Sequence, residues 1–130
     1  MRPKDWQARL RLHRFRVEEA RRQVAEIELM ISEFSRKKDE LDECIRYEEE
    51  RCGITDPKHV QYPPAALDMR RRRDNLVRSI DDLKEQLKVA VERAEEAERE
   101  LERVEMLSEK AGEAPVIAGR GGRAQVGSRV

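Results

Sequence analysis

The side chains best suited to chemistry in this sequence are two histidines and two cysteines. His13 lies in a predicted helix and His59 in the turn after it, and neither has a His or Cys at the spacing of metal ligands. Cys44 and Cys52 share the predicted helix, about 12 Å apart at 1.5 Å per residue, which is too far for a disulfide within the chain. These residues predict reduced thiols in a cytosolic protein and no metal or catalytic site.

Carboxylates and glycines offer no other reaction site. The acidic residues fall on exposed faces of predicted helices, where burial cannot separate the pKa values of two acids. Gly119, Gly121 and Gly122 follow no strand and open no helix, as a phosphate-binding loop requires. Their Gly-Arg-Gly-Gly-Arg context is similar to RNA-binding segments, but a single copy is more typical of a plain disordered end. The sequence therefore predicts no enzyme and no cofactor.

Basic side chains are concentrated at the beginning of the chain. Residues 1–22 carry eight basic and three acidic side chains, whereas residues 23–52 carry five basic and ten acidic ones. The densest group, here called the basic cluster, consists of Arg9, Arg11, Arg14 and Arg16. It predicts a surface that binds an acidic or polar protein partner, and the alternative is an ordinary solvated helix face.

A second basic run, residues 70–73, consists of four consecutive arginines that must point around a helix rather than to one side. No aromatic residues alternate with them for base stacking, and the whole chain has no net charge. We therefore expect no nucleic-acid partner. Arg73 falls on the apolar stripe of its helix, where pairing with an opposing acid is the more natural role.

The elements that carry these residues are predicted by heptad periodicity. From Trp6 to Cys52, apolar residues recur at alternating steps of three and four, interrupted only by His13, Lys38 and Glu48. This spacing produces a narrow stripe on one side of a helix, which is typical of a coiled-coil seam. The predicted seam residues of both helices are Leu10, Val17, Val24, Ile27, Ile31, Phe34, Leu41, Ile45, Leu76, Ile80, Leu83, Leu87, Leu101 and Val104.

Glycine and proline divide the chain. We expect a first helix at about 4–52, a turn at 53–63 that starts at Gly53, and a second helix at about 64–111 that starts at Pro64. Each helix would be about 70 Å long. With 43% charged and 4% aromatic residues, the chain suits long solvated helices rather than a thick core. The predicted fold is all-α: an antiparallel two-helix coiled-coil hairpin over 1–111 with a flexible basic tail at 112–130. No apolar run is long enough for membrane insertion.

The hairpin could form in two registers. One sets Glu48 against Arg73 and Phe34 against Leu87, and the other sets Leu41 against Arg73 and Phe34 against Ile80. The first register pairs opposite charges, and it pairs large apolar residues with small ones. We therefore predict the first register.

Three segments resemble the FliJ family of flagellar export proteins, in particular its shorter alphaproteobacterial type. They are RLRLHRFRVEEARRQVAEIE at residues 9–28, CGITDPKHVQYP at residues 52–63 and RRDNL at residues 72–76. The turn segment is the most specific of the three, because no heptad pattern demands it. The resemblance covers about residues 4–110.

The resemblance implies a cytosolic component of the flagellar type III protein export apparatus, located peripherally at the inner membrane of the flagellar base. It implies an antiparallel coiled coil that binds the hexameric export ATPase, contacts the export gate protein and the export chaperones, and has no catalytic residue. We would place the ATPase contact on the basic cluster. The alternatives are a structural coiled-coil spacer that dimerises and, less favoured, a nucleic-acid-binding hairpin.

Overall fold

The computed structural model describes residues 3–112, which form two long α-helices joined by a turn. Helix α1 spans Pro3–Cys52 and helix α2 spans Pro64–Lys110. These bounds differ by one residue from the predicted start of α1 and the predicted end of α2. The helices run antiparallel and pack through apolar residues of both, which confirms the predicted two-helix hairpin. The predicted tail lies, from residue 113 onward, outside the described residues.

The end of α1 and the start of α2 follow from local backbone chemistry. Gly53 adopts φ 75°, the left-handed conformation that glycine reaches without strain, and its N–H donates to the carbonyl of Glu49 at 2.8 Å. Pro64 occupies the first helical position, where a missing N–H costs nothing. The Leu67 N–H then donates to the carbonyl of Pro63 at 3.1 Å and begins the hydrogen-bond ladder of α2.

The turn between the helices is built on Asp56 and His59. The Asp56 carboxylate accepts the Lys58 N–H at 2.9 Å, and the Asp56 carbonyl accepts the His59 N–H at 3.0 Å. Nδ1 of His59 accepts the Gln61 N–H at 3.0 Å. His59 therefore organises the backbone of the turn.

The chain divides into two compact units, which we name by the parts of the chain that they contain. The terminal unit contains the described residues of 1–22 and 91–130, and the turn unit contains residues 23–90. In the terminal unit, Trp6 and Leu10 of α1 pack with Val104 of α2, and Leu101 packs against them. Leu10 is completely buried. Val17 of α1 is buried in this unit as well.

In the turn unit, Ile27 packs with Leu83 and Ala90 of α2. Half-buried apolar residues surround this cluster: Val24, Ile31, Phe34 and Leu87. Ile45 and Ile80 are buried elsewhere in the unit. Leu41 and Leu76, the remaining predicted seam residues, are half-buried.

One ion pair expected from the predicted register is not formed. Arg73 does not pair with Glu48: its Nη1 lies 3.2 Å from Asp42 Oδ1, and Glu48 pairs with Arg51. The long arginine side chain can reach along the seam to its edge, where Asp42 is partly solvated and also pairs with Lys38 at 3.0 Å. Phe34 and Leu87 both pack against the cluster of Ile27, Leu83 and Ala90, and Ile80 lies outside that cluster.

Hydrogen exchange should be slowest around residues 27–34 and 80–87 of the turn unit. These stretches contribute the Ile27 and Leu83 cluster, where each buried apolar side chain stabilises by roughly 1.5–3 kcal/mol. Exchange measured by mass spectrometry or NMR should show less protection at residues 46–52 of α1. Equal protection along α1 from residue 27 to residue 52 would contradict this prediction.

Candidate partner-binding surface

The basic cluster lies on the α1 part of the terminal unit, and its four arginines differ in exposure. Arg11 and Arg16 are exposed, whereas Arg9 and Arg14 are half-buried. This difference follows from the helical turn of about 100° per residue, which directs side chains two or three positions apart to different sides. The four arginines therefore have different roles.

Arg9 is engaged within the unit. Its guanidinium carbon lies 4.9 Å from the centroid of the Trp6 ring, a cation–π contact on a residue of the terminal core. Arg14 is less solvated than a fully exposed arginine, because its Nη2 is buried. Within residues 3–112, this nitrogen has no hydrogen-bond acceptor. A buried donor without an acceptor is costly. This nitrogen of Arg14 is therefore less accessible to a partner than the exposed guanidinium groups of Arg11 and Arg16.

Most arginines near the cluster are neutralised by acids of the same unit. Arg21 of α1 pairs with Glu98 of α2 at 2.8 Å, and three more pairs lie within one helix: Arg22 with Glu19, Arg99 with Glu96, and Arg103 with Glu100. In contrast, Arg11, Arg14 and Arg16 form no ion pair with any residue that the structure describes. Positive charge is therefore left uncompensated at this part of the surface.

His13 lies among these arginines. Burial and the positive charge of Arg16 lower its pKa, with a smaller contribution from Arg9, while Glu100 of α2 opposes the shift. A lowered pKa favours the neutral imidazole near neutral pH. His13 is half-buried in α1.

Sequence reasoning missed two apolar residues beside the arginines. Leu12 is 45% exposed and Phe15 is 57% exposed, and both lie outside the seam. We call these two residues the apolar pair. Their position in the sequence could have revealed them. Large apolar residues that lie off the heptad stripe of a highly charged helix have no packing role in the hairpin.

Most arginines of the second basic run form ion pairs within the turn unit. Arg72 pairs with Asp68 at 3.0 Å, and Arg73 pairs with Asp42 and with the adjacent Asp74. The predicted role of Arg73, pairing with an acid of α1, is confirmed, although the acid differs. This pairing leaves little of the run's charge for phosphates.

Arg70, the first residue of that run, belongs to a hydrogen-bonded group that the sequence did not reveal. This turn cluster consists of Glu49 in α1, Tyr62 in the turn and Arg70 in α2. The buried Tyr62 hydroxyl donates to Glu49 Oε2 at 2.7 Å and accepts from Arg70 Nε at 2.8 Å. Arg70 Nη2 also donates to Glu49 Oε2, at 2.9 Å. Hydrogen bonds from Tyr62 and Arg70 lower the pKa of Glu49, so the cluster holds its carboxylate ionised.

The part of the chain covered by the structure contains no group of three or more His, Cys, Asp or Glu that could hold a metal ion. A surface depression formed by residues of α1 alone is lined by Ser32, Ser35, Arg36, Asp39, Glu40 and Glu43. Arg36 and Glu40 in it pair with each other at 2.8 Å. Over residues 3–112, no helix is long and apolar enough to cross a membrane.

Comparisons with protein-family models, with curated proteins and with solved structures find no match for this chain. The candidate surface combines three arginines without an acidic partner among the described residues and an exposed apolar pair next to them.

Proposed function

We propose that this protein is a component of the bacterial flagellar protein export apparatus that binds the hexameric export ATPase through the basic cluster. The observation that carries the proposal is the uncompensated charge of Arg11, Arg14 and Arg16, in a unit whose arginines Arg21 and Arg103 are paired. Charge that the hairpin does not neutralise favours association with an acidic protein surface. Arg9 contacts the Trp6 ring within the terminal unit.

The wider role in export is supported by the resemblance of residues 9–28, 52–63 and 72–76 to the FliJ family. In this role the protein couples the ATPase to export chaperones and to the membrane export gate, at the cytoplasmic side of the flagellar base. An α-helical hairpin is compatible with that role. The protein acts by binding and needs no cofactor.

Reversing the charge of the basic cluster tests the proposal. In the variant with Arg9, Arg11, Arg14 and Arg16 all changed to Glu, ATPase binding should weaken by roughly 30-fold or more. Each exposed ion pair contributes up to about 1 kcal/mol, and 1.4 kcal/mol corresponds to tenfold in affinity. The measurement is a binding titration with the purified ATPase at low ionic strength, together with helical circular dichroism.

Two further variants make this test decisive. Arg11→Glu with Arg16→Glu changes only exposed side chains and should keep full helicity while losing affinity. Arg46→Glu with Arg71→Glu makes the same change at exposed arginines of the turn unit and should bind like the wild type. Wild-type affinity in the four-residue variant would exclude the basic cluster as the ATPase contact.

The exposure of Leu12 and Phe15 favours a second candidate, a structural coiled-coil protein that dimerises. Such a protein would be a stable dimer in sedimentation velocity experiments and would leave the ATPase unaffected. A monomer that binds the ATPase would exclude this candidate.

A further inference from the structure

We infer that the apolar pair is the anchor of the partner contact, and that its occupant is a protein surface with an apolar pocket rimmed by carboxylates. This inference rests on the proposed function, because it describes the ATPase surface that the basic cluster would meet. In this inference, Phe15 and Leu12 fill the pocket and so determine which surface is bound. Arg11 and Arg16 attract that surface by their positive charge.

The arrangement follows from helix geometry. Leu12 and Phe15 are three residues apart, so they lie side by side on one face of α1. Arg11 lies four residues before Phe15, and Arg16 lies four residues after Leu12, so each apolar side chain has an arginine one helical turn away. The result is an apolar centre with a positive charge on either side along the helix.

This pattern matches the organisation of protein interfaces. Their energy is concentrated in a few aromatic or aliphatic side chains that fill pockets, while charged residues at the rim steer association. Phe15, 57% exposed, offers a rigid ring as the anchor. The exposed Arg11 and Arg16 make no ion pair within the described chain, so their charges are available to acids on a partner.

Other occupants fit the charges less well. The tail, residues 113–130, carries three arginines and one glutamate, so it is repelled by Arg11 and Arg16. Anionic lipid would be attracted by these arginines, but Glu18 and Glu19 follow directly after them and only two large apolar residues are available to enter a bilayer surface. A second copy of the chain would bring Arg16 of each molecule near the other copy's arginines at the centre of the contact.

The test is a titration of the full chain with the purified export ATPase at low and at high salt. Phe15→Ala should weaken binding by about 30-fold at both salt concentrations, since a central anchor contributes about 2 kcal/mol and salt does not screen apolar contacts. Leu12→Ala should act in the same direction. The Arg11→Glu, Arg16→Glu variant should lose affinity at low salt and approach the wild type at high salt.

The matched control is Leu29→Ala, which removes a leucine that is 59% exposed on the same helix but has Glu28 beside it. It should bind within about twofold of the wild type, since surface substitutions away from a contact have small effects. Circular dichroism of each variant should match the wild type, because none of these side chains is in the core.

The possible outcomes separate the inference from the proposed function. If Phe15→Ala binds like the wild type while the charge-reversed variant does not, the apolar anchor is wrong and the ATPase contact stands. If the wild-type chain does not bind the ATPase, both are wrong. A wild-type dimer that Phe15→Ala converts to a monomer, or Phe15-dependent binding to vesicles of anionic lipid, would identify a different occupant and overturn the inference.

Discussion

Leu10→Ala is expected to lower the free energy of unfolding of the terminal unit by about 3 kcal/mol. Leu10 has no exposed surface and packs with Trp6, Leu101 and Val104. Its truncation removes buried methyl groups and leaves a cavity among Trp6, Leu101 and Val104. Urea denaturation followed by circular dichroism measures the change, and the melting temperature should fall by about 10 °C or more.

Leu12→Ala is the control for this prediction. It removes the same atoms two residues further along α1, but Leu12 is 45% exposed and lies outside the seam. We expect a change in unfolding free energy within about 0.5 kcal/mol. If Leu10→Ala and Leu12→Ala destabilise the protein equally, the face of α1 that carries Leu10 does not pack against α2.

Glu49→Ala is expected to destabilise the turn unit by about 2 kcal/mol at neutral pH. The substitution removes the acceptor for the Tyr62 hydroxyl and for Arg70, and Tyr62 is only 6% exposed. Hydrogen bonds to a charged group contribute about 1.5–3 kcal/mol, and a buried donor left without an acceptor adds to the loss. Urea denaturation at pH 7 measures the effect.

The same residue predicts a pH dependence. The pKa of Glu49 in the folded protein lies below its ordinary value of 4.5. A lowered pKa in the folded state means that the carboxylate stabilises the fold fully above the ordinary value. That stabilisation is lost as the pH falls through the lower, folded-state pKa. The difference in stability between wild type and Glu49→Ala should therefore be constant near neutral pH and shrink in acid below pH 4.5.

The neighbouring Glu50 supplies the control for both measurements. It is exposed, so Glu50→Ala changes the net charge equally without touching the turn cluster. Its stability should stay within about 0.5 kcal/mol of the wild type over the same pH range.

Asp42 should add to the acid sensitivity of the wild type. Burial works to raise the pKa of Asp42, but hydrogen bonds from Lys38 and Arg73 outweigh it and lower the pKa.

The sequence by itself determined the two helices, their ends and the side of each helix that is buried. These features depend on local rules: heptad spacing selects the buried stripe, and Gly53 and Pro64 stop and start helices by their backbone geometry. Leu10 and Val104 could therefore be assigned to the interior without any knowledge of how the helices face each other. The basic cluster was likewise visible as a concentration of charge.

Tertiary structure decided which polar side chains are engaged and which remain available to a partner. Arg73 meets Asp42 rather than Glu48, and Tyr62 joins Glu49 to Arg70, because these contacts depend on register and on where the turn folds back. Periodicity specifies the direction of a side chain but not the acid that a long, flexible arginine reaches, since surface ion pairs differ little in energy. The free charge of Arg11 and Arg16 became apparent only after the pairs formed by neighbouring arginines were known.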